Sequence, residues 1–132
     1  MKTTSQPTDS KLTVAQLELM NLFWERGELS VAQAWTLLSK KRSLARNTVQ
    51  TMLTRMADKG WLHTRTEGKA FYFRAARPRE STLRKMVSQL LDTAFAGSAS
   101  GLVMALLESR RISPEETQAI RDLIDGMQGA KR

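Results

Sequence analysis

Residues 46–74 place a helix-forming pattern directly before a hairpin-forming pattern, and this order constrains the fold more than any other feature of the chain. Residues 46–59 repeat apolar side chains at helical spacing, which predicts an amphipathic helix with one buried face. Those apolar side chains are Val49, Met52, Leu53 and Met56. Gly60 predicts the helix end, because glycine readily adopts the left-handed conformation of a C-terminal cap. Residues 61–65 and 70–74 then predict two short strands joined by a glycine-containing turn, which is the order of a winged helix.

The polar face of the predicted helix carries amides, hydroxyls and a guanidinium, which can hydrogen-bond base edges in the major groove of DNA. The hairpin adds Arg65, Lys69 and Arg74, which are expected to be unpaired cations against the DNA backbone. The predicted DNA-binding residues are Arg46, Asn47, Thr48, Gln50, Thr51, Thr54, Arg55, Arg65 and Lys69. Taken alone, the helix also fits an ordinary amphipathic helix with a solvated polar face. The hairpin after it and the charge around both favour DNA.

The positive charge of the chain is concentrated in one region. The formal net charge is +8, and residues 1–39, 40–77 and 78–132 contribute −1, +8 and +1. The excess therefore lies on the predicted helix, its approach and the hairpin, as expected for a protein that binds a polyanion. A membrane surface is also polyanionic, but membrane-binding helices expose bulky apolar residues opposite the basic ones. Here the apolar residues are needed for a core. Double-stranded DNA is therefore the predicted partner, and membrane binding is not predicted.

Two further helices are predicted before this segment. Thr-Val-Ala-Gln at residues 13–16 is a capping-box pattern that predicts a helix over residues 14–26, and Ser-Val-Ala-Gln at residues 30–33 predicts the start of another. Leu29, between them, is a candidate for a short third strand against the hairpin. Three helices followed by a hairpin predict a winged helix-turn-helix DNA-binding domain over residues 11–77.

The chain beyond Pro78 predicts helices only, with little net charge. Its apolar residues form stripes at helical spacing that are larger than a compact DNA-binding domain could cover. The predicted dimerisation residues are Leu83, Val87, Leu90, Leu91, Ile120, Leu123, Ile124 and Met127. The alternative is that these helices pack back onto their own domain. Dimerisation is favoured because a protein that reads a palindromic site needs a two-fold partner, so residues 78–132 are assigned to a helical dimerisation domain.

The predicted fold class is therefore mainly α with a small β-wing, and the composition argues against an enzyme. The chain has no cysteine, one histidine and no glycine-rich phosphate loop, so the usual constellations for nucleophilic or metal catalysis are absent. No metal or cofactor is predicted. The polar residues 1–10 are expected to be disordered, and without a signal-peptide pattern the protein is expected to be cytoplasmic.

The three tryptophans and the degree of DNA specificity each leave two interpretations. Trp24, Trp35 and Trp61 could stack on bases, but each falls where a helix or strand should face the core, and core packing is predicted. An operator-specific homodimeric repressor competes with a low-specificity architectural, or nucleoid-associated, DNA-binding protein. The first should prefer its site over random DNA by ~10³ or more, whereas backbone-dominated binding shows a steep salt dependence without that preference.

Three segments and the end of the hairpin carry a family resemblance. They are LTVAQLELMNLFWERGELSVAQ from Leu12, NTVQTMLTRMADKGWL from Asn47, the hairpin strand AFYFRA, and FAGSASGLVMALLESRRISPEETQAIRDLIDGM from Phe95. Together they resemble the penicillinase-repressor, or BlaI/MecI, family of bacterial transcriptional repressors. The resemblance implies an N-terminal winged-helix domain, a C-terminal helical dimerisation domain, and repression of β-lactamase or related resistance genes from palindromic operators. It also implies that the predicted helix over residues 46–59 is the recognition helix, which enters the major groove of DNA. The residues that would face the groove are Thr48, Thr51, Thr54 and Arg55.

The resemblance also bears on regulation. Some members of the family are inactivated when a membrane-bound sensor protease triggers cleavage of an Asn-Phe bond in the apolar helix of the C-terminal domain. The matching positions here are Ala105 and Leu106, which differ from that pattern in residue type. They are the candidate cleavage site, and a sensor-linked protease is the candidate partner. Copper-responsive relatives use C-terminal cysteines, which this chain does not have.

Overall fold

A computed structural model gives the structure of residues 11–130, with side chains described as far as Met127. The predicted disorder of residues 1–10 lies outside the described residues. The elements in chain order are α1 (Val14–Arg26), β1 (Leu29–Ser30), α2 (Val31–Leu38), α3 (Arg46–Asp58), β2 (Leu62–Glu67), β3 (Ala70–Ala75), α4 (Arg79–Ala94), α5 (Ala99–Glu108) and α6 (Pro114–Ala130). Three helices followed by a hairpin confirm the predicted winged-helix order and the mainly α fold class.

The chain divides into two compact units, and the division falls inside α4. The first unit extends to Leu83 and the second begins at Arg84, whereas the sequence prediction places a domain boundary after residue 77. The start of α4 belongs with the first unit in this division. There, Thr82 is buried and its hydroxyl donates to the Pro78 carbonyl at 2.8 Å.

The predicted helix-capping residues occupy their expected positions. The Thr13 hydroxyl accepts from the Gln16 N–H at 3.1 Å, and the Gln16 side chain accepts from the Thr13 N–H at 2.9 Å. Ser30 and Gln33 form the same reciprocal pair at 3.1 and 2.8 Å. Each box satisfies N–H groups that the first helical turn leaves without partners. Gly60 follows α3 with a φ of 87°, the left-handed conformation predicted for the helix end.

The core of the first unit lies between its three helices and the inner face of the wing, which is the hairpin of β2 and β3. Its buried apolar residues are Leu19, Met20, Phe23, Leu29, Val31, Ala34, Leu38, Val49, Leu53, Met56, Trp61, Leu62 and Phe73. Met52 is only partly buried at the edge of this core. Trp24 and Trp35 also pack partly buried against it, so the predicted core role of all three tryptophans is confirmed. Burial of this apolar area is the main stabilising term for the unit.

Leu29 forms the predicted third strand, since β1 pairs with β3 on the side opposite β2. The register places Leu29 against Phe73, and Tyr72 against both Ser30 and Arg65. Successive side chains of a strand point to opposite faces, so Leu29 and Phe73 face the core while Tyr72 and Arg65 share the outer face. The register therefore decides which charged side chains of the wing become neighbours.

The second unit, formed by α4 from Arg84 onward, α5 and α6, leaves many apolar side chains exposed. Leu83, at the end of the first unit, and Leu91 are partly buried. The exposed members of the predicted dimerisation set are Val87, Leu90, Ile120, Leu123, Ile124 and Met127. Neither α5 nor α6, as far as Met127, contains a buried residue. The stripes are thus uncovered within a single chain, and dimerisation through them stays a prediction.

The helices of the described part of the chain are too short or too polar to span a bilayer singly. Between residues 11 and 130, no single helix is long and apolar enough to cross a membrane. Among the described residues, α4 and α5 taken together meet the length and composition of a span, but they are bent by 92° at their junction. α5 alone has 10 residues, against the roughly 20 that a transmembrane helix needs.

Leu53→Ala is expected to lower the free energy of unfolding by about 2–5 kcal/mol, because it removes a fully buried side chain and leaves a cavity in the core. Gln50→Ala is the matched control, since Gln50 lies on the exposed face of the same helix and its loss should cost no more than about 0.5 kcal/mol. Urea denaturation followed by circular dichroism measures both values. Equal losses for the two variants would contradict the burial of Leu53 in the core.

Candidate nucleic-acid interface

The predicted base-reading residues of α3 lie on its exposed side. Val49, Leu53 and Met56 of the same helix are buried, so core packing directs the opposite face outward. The exposed members of the predicted set are Arg46, Asn47, Thr48, Gln50, Thr51, Thr54 and Arg55. One helix of 13 residues therefore carries a continuous surface of donors and acceptors that the core does not use.

Two threonines on this surface are oriented by their own helix. The Thr51 hydroxyl donates to the Asn47 carbonyl at 3.0 Å, and the Thr54 hydroxyl donates to the Gln50 carbonyl at 2.9 Å. Each hydroxyl proton is thereby used, and the oxygen lone pairs and methyl groups remain for other contacts. Such a threonine can accept from the amino group of adenine or cytosine and can contact the methyl group of thymine. Arg55 offers donors only, which suits guanine.

The N-terminal end of α3 is held by a tryptophan of α2. The Trp35 indole N–H donates to the Leu44 carbonyl at 2.8 Å, which fixes the turn between the two helices. Ala45 is the N-cap of α3 and contributes no side-chain hydrogen bond to it. The N–H groups of the first α3 turn are therefore left without a side-chain cap, and such a helix end favours anionic groups such as phosphates. Arg46 adds a cation at the same end.

An ion pair holds the basic segment before α3 onto α1. Arg42 Nε donates to Glu18 Oε1 at 2.6 Å. The hydrogen bond from Arg42 lowers the pKa of Glu18 below its usual value, so the pair stays charged at neutral pH. Arg42 thus has a structural partner, whereas its neighbours Lys40 and Lys41 are exposed.

The C-terminal end of α3 is held by Arg77, which follows the wing in sequence. Its Nε and Nη2 atoms donate to the carbonyls of Gly60 and Lys59, both at 3.2 Å. Its guanidinium carbon lies 3.8 Å from the centroid of the Trp61 ring, a cation–π contact. Its own carbonyl accepts from the Trp24 indole N–H at 2.8 Å. Burial lowers the pKa of Arg77. Arg77 therefore ties the end of the recognition helix and the start of the wing to α1.

The three cations of the wing have different surroundings. Lys69 at the turn and Arg74 on β3 are exposed, and neither forms an ion pair with another described residue. Arg65 is held instead by the carboxylates of Glu28 and Glu67. The expectation that Arg65 is an unpaired cation is wrong, because the residue before β1 and the residue at the end of β2 each bring a carboxylate within its reach.

Sequence patterns do not reveal the residues that hold this surface in place. In the sequence, Arg77 is one of ten basic residues in residues 40–77, the basic region of the chain. Glu28 is one of four acidic residues in residues 1–39. Their partners are distant: Trp24 and Arg77 are 53 positions apart, and Glu28 and Arg65 are 37 apart. Helix and strand patterns relate positions only a few residues apart, so no such pattern points to these pairs.

An outward polar helix, a basic wing and a helix-turn-helix core define the first unit as a winged helix-turn-helix DNA-binding domain. The family model described as penicillinase repressor matches residues 12–126. The chain therefore belongs to the penicillinase repressor family, which confirms the resemblance seen in the sequence. It is a family of DNA-binding transcriptional repressors and not of enzymes.

The comparison with individual proteins gives relatives along nearly the whole chain. The penicillinase repressor of Bacillus licheniformis is 24% identical over 122 residues, which cover 92% of this chain and 95% of that protein. The methicillin resistance regulatory protein MecI of Mammaliicoccus sciuri is 20% identical over 115 residues, covering 87% of this chain and 94% of that protein. The solution structure of the DNA binding domain of the repressor BlaI matches with a TM-score of 0.50 and 28% identity, over 57% of this chain and 88% of that one.

Arg77→Ala is expected to lower the free energy of unfolding by roughly 1–3 kcal/mol, because two carbonyls lose a charged donor and Trp61 loses its cation–π partner. Arg77→Lys keeps the charge but not the planar fork, so it should recover only part of the loss. Lys69→Ala, which removes an exposed wing cation, is the control and should be nearly neutral. Urea denaturation compares the three variants, and wild-type stability of Arg77→Ala would refute the anchoring role.

Proposed function

We propose that this chain is a homodimeric transcriptional repressor that binds a palindromic DNA operator and controls a resistance or stress gene. The observation that carries the proposal is the surface of α3, whose outward donors and acceptors are held at both ends of the helix. The region around it, residues 40–77, carries a formal net charge of +8. Membership of a repressor family supports the general class. Operator symmetry, the dimer and the target gene are what the proposal adds.

In this proposal α3 enters the major groove and the wing contacts the DNA backbone. The α3 side chains read base edges, with Arg55 suited to guanine and Asn47 or Gln50 suited to adenine. Lys69 and Arg74 provide point charges for phosphates, which add affinity without adding sequence preference. Arg65 belongs to the DNA-binding set predicted from the sequence. Its two carboxylate partners occupy the hydrogen-bond donors that a phosphate would need.

A second copy of the chain is proposed to cover the apolar faces of α4, α5 and α6. Leu123 is 68% exposed and Met127 is 64% exposed in the single chain, and Ile120 and Ile124 of the same apolar stripe are exposed as well. An uncovered apolar surface on this scale is typical of an interaction site. A two-fold dimer would present two α3 helices to the two halves of a palindrome. Because the two subunits are linked, their two weak half-site contacts combine into a much higher affinity for the whole operator.

The target gene and the signal are proposed from relatives. The related proteins bear the names penicillinase repressor and methicillin resistance regulatory protein, which supports a resistance gene as the target. Ala105 and Leu106 lie inside α5, so a sensor-linked protease could cut between them only after local unfolding of this helix. Such a cut would remove apolar side chains from the proposed dimer interface and release the operator. The proposed DNA-binding role agrees with the cytoplasmic location expected from the sequence.

Thr51→Ala and Arg55→Ala should each weaken operator binding by roughly 1–3 kcal/mol and relax its specificity, because each removes a base-reading group. Lys69→Ala should weaken binding to all DNA about equally and lower the salt slope by about one. The operator is first selected from a pool of random duplexes. Fluorescence anisotropy at several salt concentrations then measures each variant on the operator and on random DNA.

Two outcomes of these titrations would count against the proposed reading of DNA. Full operator preference in Arg55→Ala would show that this residue does not read bases. A wild-type protein with a steep salt slope and no preferred sequence would favour the architectural, low-specificity function instead.

Leu123→Asp in the full chain should shift the protein from dimer to monomer, because a charge buried in an apolar interface costs several kcal/mol. The exposure of Leu123 in the single chain means that the fold itself should tolerate the change. Gln118→Asp adds the same charge to α6 outside the apolar stripe. It gives up the exposed hydrogen bond from Gln118 to Asp122 but no apolar contact, so it should leave the dimer intact. Analytical ultracentrifugation at micromolar concentration distinguishes the two. A monomeric wild type, or a dimeric Leu123→Asp, would refute the proposed interface.

A further inference from the structure

Arg65 spans the whole width of the wing sheet. It lies on β2 opposite Tyr72 of β3, and Glu28 immediately precedes β1, which pairs with the other side of β3. The guanidinium carbon of Arg65 lies 4.6 Å from the centroid of the Tyr72 ring, so the side chain crosses β3 above that ring. The outer strand of the wing is thereby joined to the residue that leads from α1 into the sheet.

Two carboxylates hold this guanidinium. Nε and Nη2 of Arg65 donate to Glu28 Oε2 and Oε1 at 2.9 and 2.8 Å, and Nη1 donates to Glu67 Oε1 at 2.6 Å. The contact with Glu28 is bidentate, and a planar guanidinium makes the same kind of contact with a phosphate. Glu28 therefore occupies the fork that a DNA phosphate would need.

The charge of this cluster differs from that of the rest of the wing. It contains one cation bonded to two carboxylates, whereas Lys69 has no such partner among the described residues. Arg74 forms no ion pair with a described residue, although its positive charge adds to the effect of the Arg65 hydrogen bond in lowering the pKa of Glu28. The hydrogen bond from Arg65 lowers the pKa of Glu28, and hydrogen bonds to both carboxylates raise the pKa of Arg65, so the cluster stays ionised at neutral pH. A phosphate that displaced Glu28 would also be repelled by the carboxylate it had freed.

We propose that Glu28 keeps Arg65 away from DNA phosphates and thereby limits how strongly the wing binds DNA of any sequence. The proposal rests on the proposed DNA-binding function. Limiting a backbone contact that is common to all sequences leaves the base contacts of α3 a larger share of the binding free energy, so Glu28 is a specificity-determining residue. Once released, Arg65 lies two residues, or about 7 Å, from the end of β2 at the wing turn, where Lys69 lies.

The test measures binding of the full-length protein to a random-sequence duplex as salt is varied from roughly 50 to 200 mM. Glu28→Gln removes the carboxylate charge and preserves the size of the side chain. It should bind random DNA more tightly than wild type, with a salt slope steeper by about 0.9, because one more phosphate is neutralised. Across that range the added loss of affinity should be about 3.5-fold. Glu28→Asp, which shortens the bidentate reach, should give a change of the same sign.

Glu25→Gln is the matched control, since it removes the same charge from an exposed acid whose ion pair is a 3.9 Å contact with the adjacent Arg26. It should leave the slope close to that of wild type. The double variant Glu28→Gln/Arg65→Gln should lose the tighter binding and the steeper salt slope of Glu28→Gln, because it no longer has the released cation. Arg65→Gln alone should change the slope by less than half of the change produced by Lys69→Gln.

Three results would overturn the proposal. One is an equal salt slope for Glu28→Gln and Glu25→Gln, which would show that the effect comes from the change in net charge and not from the release of Arg65. Another is a loss of slope in Arg65→Gln as large as that in Lys69→Gln, which would make Arg65 a phosphate contact despite Glu28. The last is a wild-type protein that binds neither operator nor random DNA, which would remove the proposed function and this inference together.

Discussion

The burial of one face of α3 is the interaction on which the rest of the structure depends. Leu53 and its neighbours Val49 and Met56 fill the centre of the first unit, so the helix cannot rotate about its axis without exposing them. That packing directs the polar face outward. Trp35 and Arg77 add polar contacts at the two ends of α3, one through the turn before the helix and the other through the carbonyls that follow it. A helix buried on one side and held at both ends keeps a single orientation toward a ligand.

Residues 40–77 contain two groups of cations: those that stabilise the fold and those that remain available to bind DNA. Arg42 pairs with a carboxylate of α1, Arg65 pairs with two carboxylates at the edge of the sheet, and Arg77 packs on a tryptophan and donates to carbonyls. All three are arginines, whose planar fork suits such fixed, multiple contacts. The exposed lysines of the same region include Lys40 and Lys69, whose flexible point charges suit less specific attraction to phosphate. Net charge alone therefore overstates how many cations can meet DNA.

The two units satisfy the hydrophobic effect to different degrees. The first buries its apolar residues within one chain and leaves no buried side-chain polar atom without a hydrogen bond among the described residues. In the second, apolar side chains from Val87 to Met127 remain largely exposed, although each helix has a well-defined apolar stripe. Helices of this length gain most of their stability from packing such a stripe against another surface. The second unit therefore leaves its apolar stripes in contact with water in a single chain, which is the physical basis for proposing a partner copy.

The helices, the wing and the outward face of α3 follow from local patterns in the amino-acid sequence. Capping boxes at Thr13 and Ser30 and the apolar spacing of α3 relate residues three or four positions apart, and helical geometry alone makes such residues neighbours. Leu29 was a weaker signal, since a two-residue strand exists only through its pairing with β3. The pairing of Arg65 and the contacts of Arg77 with the end of α3 follow from long-range packing and from no local pattern. Those contacts join positions far apart in the chain, and only the packed core and the sheet register bring them together.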